Sequence, residues 1–505
     1  MRSTPSPPEE GRQTMEIDSI AASEPALDTA QGRRWLALLV LCLGTVMIVL
    51  DTTIVNVALP SIRVALGFSE TSLVWVVNAY MLTFGGFLLL SGRLGDLFGQ
   101  RRIFLGGIVL FTLASLACGL SGSRTMLVAA RAVQGVGGSA VSAISLSLIM
   151  NLFPEAGERA KAMGVYSFVC AGGGSVGVLL GGLLVQSLDW HWIFLVNLPI
   201  GALVVFLTMA LVAPGKGEET GRHLDIAGAL TVTSSLMLAV YGIVGGNQAG
   251  WMSERTLGLL GTAGGLLLLF LRIESKVKIP LLPLRLLGSR NLSTANTVGV
   301  LWAASMFAWF FLSALYMQLV LGCTAMQVGL AFLPANLIMA AFSLGLSAKI
   351  VTRFGNRLPL AAGLMVAACG LLLFARVPLH GSIAMDVLPA MSVLGLGAGI
   401  ALNPMLLAAM SDVEPGESGL ASGIVNTSFM MGGGLGLAVL ASVAAAHTKA
   451  LTDSGVAESA ALLGGYHAAF VVGAIFAAGA GLMGGLLLRD AKPAEEAGYA
   501  ELPAL

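Results

Sequence analysis

The tightest constraint on this chain is the recurrence of apolar runs as long as a bilayer is thick. A helix needs roughly 20 apolar residues to cross about 30 Å of hydrocarbon. Fourteen candidate segments occur: 35–60, 70–91, 103–121, 125–150, 162–186, 191–213, 225–246, 256–271, 293–320, 327–348, 358–375, 383–410, 419–446 and 465–488. Only 11% of the side chains are charged and 56% are hydrophobic, whereas soluble domains carry roughly 25% charge. Such a chain cannot cover a water-facing surface, which excludes a soluble enzyme, a disordered regulator and a fibre. With 27 Lys and Arg against 27 Asp and Glu, no nucleic-acid partner is expected. The chain reads as an all-α integral membrane protein in contact with a lipid bilayer.

Basic residues orient it. With a cytoplasmic N-terminus, 21 of the 27 Lys and Arg fall on the inner side, among them Lys216, Arg222 and Lys278. Five fall outside (Arg63, Arg124, Arg255, Arg376 and Lys449), and Arg131 lies within a span. Both termini are then cytoplasmic in a multi-pass protein of the cell inner (plasma) membrane. Residues 1–34 read as a flexible cytoplasmic tail rather than a signal peptide, because no apolar h-region precedes Gln31. Residues 489–505 read as a second tail.

A weak internal echo organises the spans. GRLGDLFGQRR (92–102) follows the second span and AKIVTRFGNR (348–357) the tenth, and superposing Gly99 on Gly355 places Arg101 on Arg357. The offset of 256 residues spans eight segments. It suggests two similar six-span bundles, 35–213 and 291–488, with two extra helices in 214–290. Parallel halves with a site at their interface are a transporter architecture.

The sequence supplies no enzymatic or ATP-driven alternative. None of the seven lysines is followed by Ser or Thr, as a phosphate-binding Gly-rich loop requires. No His/Asp/Glu cluster or nucleophile–base pairing appears, so no enzyme activity, metal or cofactor is expected. The five cysteines form no C-x-x-C and read as small apolar fillers.

A charge inside a membrane is costly and normally faces a cavity or a partner. Asp51 sits in the first span, nine residues before Pro60, which is about 13 Å of helix. Arg131 sits in the fourth, seven residues after Arg124, about 10 Å from the same side. The similar depths allow an ion pair if the two spans are neighbours. One reading is a salt bridge that only orients helices. The other is a protonatable carboxylate: desolvation favours the neutral form of an acid and a nearby arginine the ionised form. Alternation between the two, tipped by substrate, is sufficient for antiport. Asp225 and Asp386 read instead as solvated helix ends.

These residues resemble the fourteen-span drug:proton antiporter branch of the major facilitator superfamily, over residues 35–488. LDTTIVNVALP (50–60), with Asp51, Asn56 and Pro60, is similar to that branch's first-span signature. Gly92, Asp96, Gly99, Arg101 and Arg102 match the superfamily's loop motif. Together with Arg93 they are implied to form a cytoplasmic gate. Arg131, Gln134, Gly135 and Gly137 match the fourth-span pattern, whose arginine is linked to proton coupling. In WHWIFLVNLPIG (190–201), His191 stands where arginine is usual. Gly164, Gly173, Gly177, Gly181 and Gly182 fall on the fifth-span antiporter motif, with Val178 in place of its proline. Gly173, Gly177 and Gly181 recur every four residues and form a smooth face for close helix contact.

Phe429 and Met430 stand where relatives commonly carry Arg-Gln, which suits a lipophilic substrate. Candidate substrate contacts are Asn56, Trp75, Asn78, Tyr80, Gln134, Trp302, Met306, Trp309, Tyr316, Gln318, Asn403 and Asn426, since apolar cavities with a few polar groups and Met or aromatic walls favour multispecific binding. Lipid contact or bundle packing is the alternative for each aromatic. The resemblance implies the major facilitator fold, with two six-helix bundles plus two central helices. It also implies export of small amphipathic or lipophilic compounds in exchange for protons, by a monomer without cofactors. An exporter of one native metabolite or lipid is the alternative, and a non-transporting receptor a more distant one.

Overall fold

The computed structural model describes residues 10–212, 225–277, 280–283, 285–342, 346–413 and 418–489. Lys216, Arg222, Lys278 and both chain ends lie outside these. Among the described residues the chain is all helix, with no strand. The helices of the first half are α1 (Glu10–Leu66), α2 (Glu70–Phe98), α3 (Gln100–Gly119), α4 (Arg124–Leu152), α5 (Ala156–Ser187), α6 (Trp192–Leu195) and α7 (Asn197–Leu211). A middle pair follows, α8 (Ile226–Ala249) and α9 (Glu254–Glu274). The second half holds α10 (Arg290–Leu315), α11 (Ala325–Ala341), α12 (Ser347–Phe354), α13 (Arg357–Phe374), α14 (Leu388–Met410), α15 (Ser418–Asp453) and α16 (Glu458–Leu487). A π-helical turn extends α10 over Tyr316–Val320, and another opens α14 over Ile383–Val387.

Among the described residues, twelve helices are long and apolar enough to cross a membrane. Gly172–Ser187 of α5 and Ala325–Ala341 are shorter apolar helices. α1 begins well before the expected first span, because Ala, Glu, Gln and Met in the segment read as a tail are strong helix formers that prolong the helix behind them.

Helix starts are set by side chains that satisfy the orphan N–H groups of the first turn. Ser69 and Thr324 form capping boxes with Ser72 and Gln327 at α2 and α11. Ser123 and Ser253 cap α4 and α9. At the opposite face, Gly99 (φ 93°) and Gly355 (φ 71°) turn α2 into α3 and α12 into α13, in a backbone region closed to residues with a Cβ.

The internal echo is visible in the packing. In the first half α1 packs on α5, α7 and α4, α2 on α4, and α3 on α4 and α7. In the second half α10 packs on α15, α16 and α14, α11 on α14, and α13 on α14 and α16, which is the same neighbour scheme. Arg101 donates from Nη2 to the Met209 carbonyl of α7 at 2.8 Å, and Arg357 likewise donates to the Gly485 carbonyl of α16. The halves meet along two symmetric contacts, α2 with α15 and α5 with α11. The pair α8/α9 stands beside one of them, against α2 and α15.

Candidate functional site

Five helices of the first half converge on one buried carboxylate. Asp51 of α1 and Arg131 of α4 are 0% and 1% exposed. Asp51 Oδ2 accepts a hydrogen bond from Arg131 Nη1 at 2.5 Å. Asp51 Oδ1 accepts from Gln134 Nε2 at 2.7 Å and from Asn197 Nδ2 of α7 at 3.3 Å. Arg131 also donates to Gln134 Oε1 at 2.7 Å and, through Nε, to the Val76 carbonyl of α2 at 2.9 Å. Ser115 of α3 accepts from Gln134 and Asn197, and the Cys118 thiol leans on Gln134 Oε1. The guanidinium lies 4.4 Å from the Tyr80 ring and 5.7 Å from that of Phe194. A charge this deep is tolerable only when it is paired and hydrogen-bonded, and here both carboxylate oxygens and two guanidinium nitrogens are engaged.

The depth comparison thus anticipates a real pair. Tyr80 and Gln134, expected at a substrate pocket, are fully buried partners of the pair in this structure. Ser115 and Asn197 were not anticipated as site residues. Asn197 carried a signal, an amide within the apolar run WIFLVNLPIG, whereas Ser115 carried none, because a serine in a span usually bonds its own helix.

The fifth-span glycines face α1 around Asp51. A Cβ on Gly173 would meet Val49, one on Gly177 would meet Thr53 and Leu50, and one on Gly181 would meet Ile54. Gly182 faces the other half, against the backbone of Ala325 and Met326 in α11. Gly164 faces open space. Val178, at the motif's proline position, is buried, and its carbonyl stands against Gly329 of α11.

At the other end of α2, Arg93 and Asp96 pair within the helix at 3.8 Å. Gly95 packs on Ile144, Gly92 faces open space and Arg102 is exposed. Arg101 ties α3 to α7 within the first half.

The remaining expected contacts divide by place. Asn78 donates to the Gly434 carbonyl at 2.9 Å and Gln318 to the Val57 carbonyl at 3.0 Å, so both bridge the halves. Trp75 packs against Tyr241 of α8. Trp302 and Trp309 are buried within the second half, the latter against Phe310 and Phe332. Tyr316 is buried and donates to the Pro378 carbonyl. Asn56 and Asn426 bond the preceding turns of their own helices, and Asn403 and Met306 are half-buried. Phe429 meets Phe307 edge-on, and Met430 and Met431 close on Gly85 of α2. Asp386 is a partly exposed helix-start residue, as read. Asp225 caps α8 as expected but is 5% exposed rather than solvated, with the apolar cluster of α2, Ala229 and Leu281 one turn along the helix.

A cavity of about 560 Å³ lies between the halves at the Pro60 end. It is lined by Pro60, Ser61, Val64 and Ala65 of α1, Asp189, Trp190 and His191 before α6, and Gln318 and Cys323 from the second half. His191 pairs with Asp189 at 2.9 Å and stacks on Trp190. Burial pushes the Cys323 thiol up from its ordinary value. Among the described residues no His/Cys/Asp/Glu group has the arrangement to hold a metal.

Two matching sets of helices, the first built around a buried ion pair, have the architecture of a multi-pass membrane transporter. The family model described as Major Facilitator Superfamily matches residues 41–437, and the chain belongs to that superfamily. It is 37% identical to the puromycin resistance protein pur8 of Streptomyces alboniger, over 94% of each chain. It is also 37% identical to the cephamycin export protein CmcT of Amycolatopsis lactamdurans, over 87% of this chain and 90% of that one. To the multidrug resistance protein Stp of Mycobacterium tuberculosis (strain CDC 1551 / Oshkosh) it is 38% identical, over 83% and 77%. Among solved structures, an auto-inhibited POT family peptide transporter superposes with a TM-score of 0.65 over 91% of this chain and 99% of that one, at 16% identity. A bacterial homologue of the human lysosomal transporter Spinster, inward-facing and unoccupied, gives 0.64 over 90% and 97%, also at 16% identity. These two speak to the fold alone.

Proposed function

We propose that the chain is a proton-coupled exporter of small amphipathic organic compounds, antibiotics among them, working by alternating access. The observation that carries the reading is Asp51 of α1: a buried carboxylate held by Arg131, Gln134 and Asn197, on a helix packed against α5, which meets the second half at α11. Protonation of Asp51 cancels its attraction for Arg131 and weakens the hold of α1 on α4 and α7. α1 is packed through Val49, Thr53 and Ile54 on the α5 glycines, and α5 through Gly182 on α11. Movement of α1 is thereby transmitted to the seal between the halves at the Pro60 end. The apolar surfaces of Phe307, Phe429 and Met430 favour a lipophilic cargo.

The same reading places both termini in the cytoplasm of a cell with an inner membrane and the Pro60 end outside. It counts fourteen spans, with α5 and the α11–α12 segment included, in bundles 35–213 and 291–488 around the pair in 214–290. It takes the monomer as the working unit and Gly92, Arg93, Asp96, Gly99, Arg101 and Arg102 as the inner gate. A second reading, a dedicated exporter of one metabolite, is favoured by the names of two relatives, each tied to a single antibiotic.

Proteoliposomes with an imposed pH gradient test coupling. Wild-type protein is expected to drive uphill movement of a lipophilic dye, abolished by an uncoupler. Asp51→Asn is expected to lose gradient-driven movement while remaining inserted. Full gradient-driven activity in that variant would refute the role of Asp51, and a substrate panel separates broad from single-compound export.

A further inference from the structure

Two more acids are buried far from Asp51, where the middle helix pair meets α2. Asp225 caps α8 with Oδ1, accepting from Gly228 N at 2.7 Å. Glu274, the last residue of α9, is 3% exposed and accepts from Leu282 N through Oε2 at 3.1 Å. The other two oxygens, Asp225 Oδ2 and Glu274 Oε1, are buried and receive no N–H or O–H from the described residues. The α8/α9 hairpin, tied by Ser235 Oγ on the Ala263 carbonyl at 2.7 Å, brings the end of α9 level with the start of α8 and so sets the two acids side by side. An ionised carboxyl only accepts, so two of them cannot bond each other, and a single proton converts one into a donor. One turn along α8, Ala229 packs with Leu281 against Leu90, Phe87, Leu89 and Leu94 of α2, an apolar cluster. In such surroundings two adjacent carboxylates are disfavoured.

Among the described residues the charged groups nearby do not neutralise the pair. On α2, Arg93 is bound to Asp96. On α9 and just beyond it, Arg272 and Lys276 are exposed, as is Arg285 past the apolar cluster. Among the described residues neither Asp225 nor Glu274 has an ion-pair partner of opposite sign.

We propose that Asp225 and Glu274 form a second proton-binding site, independent of Asp51, which latches the chain leaving α9 onto the start of α8. With the proton in place, Glu274 joins the α8 cap to the Leu282 amide. Without it, two like charges beside an apolar cluster repel, and the segment that leads from α9 to α10 is released. The site is linked to α2 just above the Arg93–Asp96 turn, so its ligand is a proton from the compartment facing that turn. It requires no assumption about the transported compound.

Infrared difference spectra of the purified full chain in bilayers, between about pH 5 and about pH 9, test it through the stretch of a protonated carboxyl. A titrating band is expected in wild type and in Asp51→Asn, and is expected to vanish in both Glu274→Gln and Asp225→Asn. Identical spectra for wild type and Glu274→Gln would overturn the proposal, as would a band removed only by Asp51→Asn. Thermal unfolding gives a second measurement. With the proposed proton held by the folded chain at a pH where the unfolded carboxyls have lost theirs, this site's contribution to stability falls as pH rises. Glu274→Gln mimics the protonated acid and is expected to show a shallower fall in Tm with pH. An unchanged slope would count against the site.

Discussion

Arg131 serves three acceptors at once, the Asp51 carboxylate, the Gln134 amide and the Val76 carbonyl, while its face lies against Tyr80. A lysine has neither the fork nor the flat face to do this. Arg131→Lys is therefore expected to slow gradient-driven efflux at least about tenfold, the effect of some 1.4 kcal/mol. Removing one member leaves a buried charge unpaired, so Asp51→Ala and Arg131→Ala are each expected to lower unfolding stability by about 3–5 kcal/mol. The double variant is expected to lose clearly less than the sum, because it buries neither charge alone. Additive losses in thermal unfolding would show that the pair is not coupled. The pair itself was legible in the sequence, since a charge in an apolar run has a depth that can be counted from the span ends. Its remaining partners were not. Tyr80 and Gln134 have the chemistry of a pocket wall as much as of a charge's neighbours, and only the packing of α2 and α4 against α1 decides between them.

The helix α5 shows what periodicity gives and what it withholds. Small residues four apart mark a face, yet the spacing contains nothing about the helix that will meet it. The structure sets that face on α1, with a Cβ on Gly177 running into Thr53 Oγ1 and falling 3.2 Å from Leu50 Cα. Gly164 belongs to the same motif and faces nothing within 4 Å. Gly177→Ala is thus expected to cost about 1–3 kcal/mol through overpacking, and to impair efflux, while Gly164→Ala is expected to leave stability and efflux near wild type. Melting temperatures and dye efflux measured side by side check the contrast; equal effects at both positions would separate the motif from close α1 contact. The middle pair makes the same point from the other side. Asp225 was readable as a helix start, but its burial was not, nor was its nearness to Glu274, 49 residues later, which only the pairing of α8 with α9 brings about.

At the scale of the whole molecule, matching neighbour schemes in the two halves turn a short loop echo into an architecture. Gly99 and Gly355 make the same turn, and Arg101 and Arg357 reach the same relative place on the last helix of each half. The contacts between halves were beyond sequence reading, because they join residues hundreds apart whose side chains are ordinary membrane residues. They hold the Pro60 end together through Gln318 on Val57, Gly182 on α11 and Gly329 on α5. If transport alternates, this end must open. Val64 of α1 and Cys323 of the second half line the same cavity across that seam, so Val64→Cys offers a second thiol opposite a native one. Because burial raises the Cys323 thiol, the reaction calls for alkaline conditions, where the thiolate forms. Cys369 is exposed and is replaced by serine beforehand. Joining the two thiols with a short cleavable reagent is expected to stop efflux, and cleaving the reagent to restore it. Each thiol modified singly is expected to leave most activity. Undiminished transport by the linked protein would mean that the halves need not part at Pro60, and alternating access through that end would have to be given up.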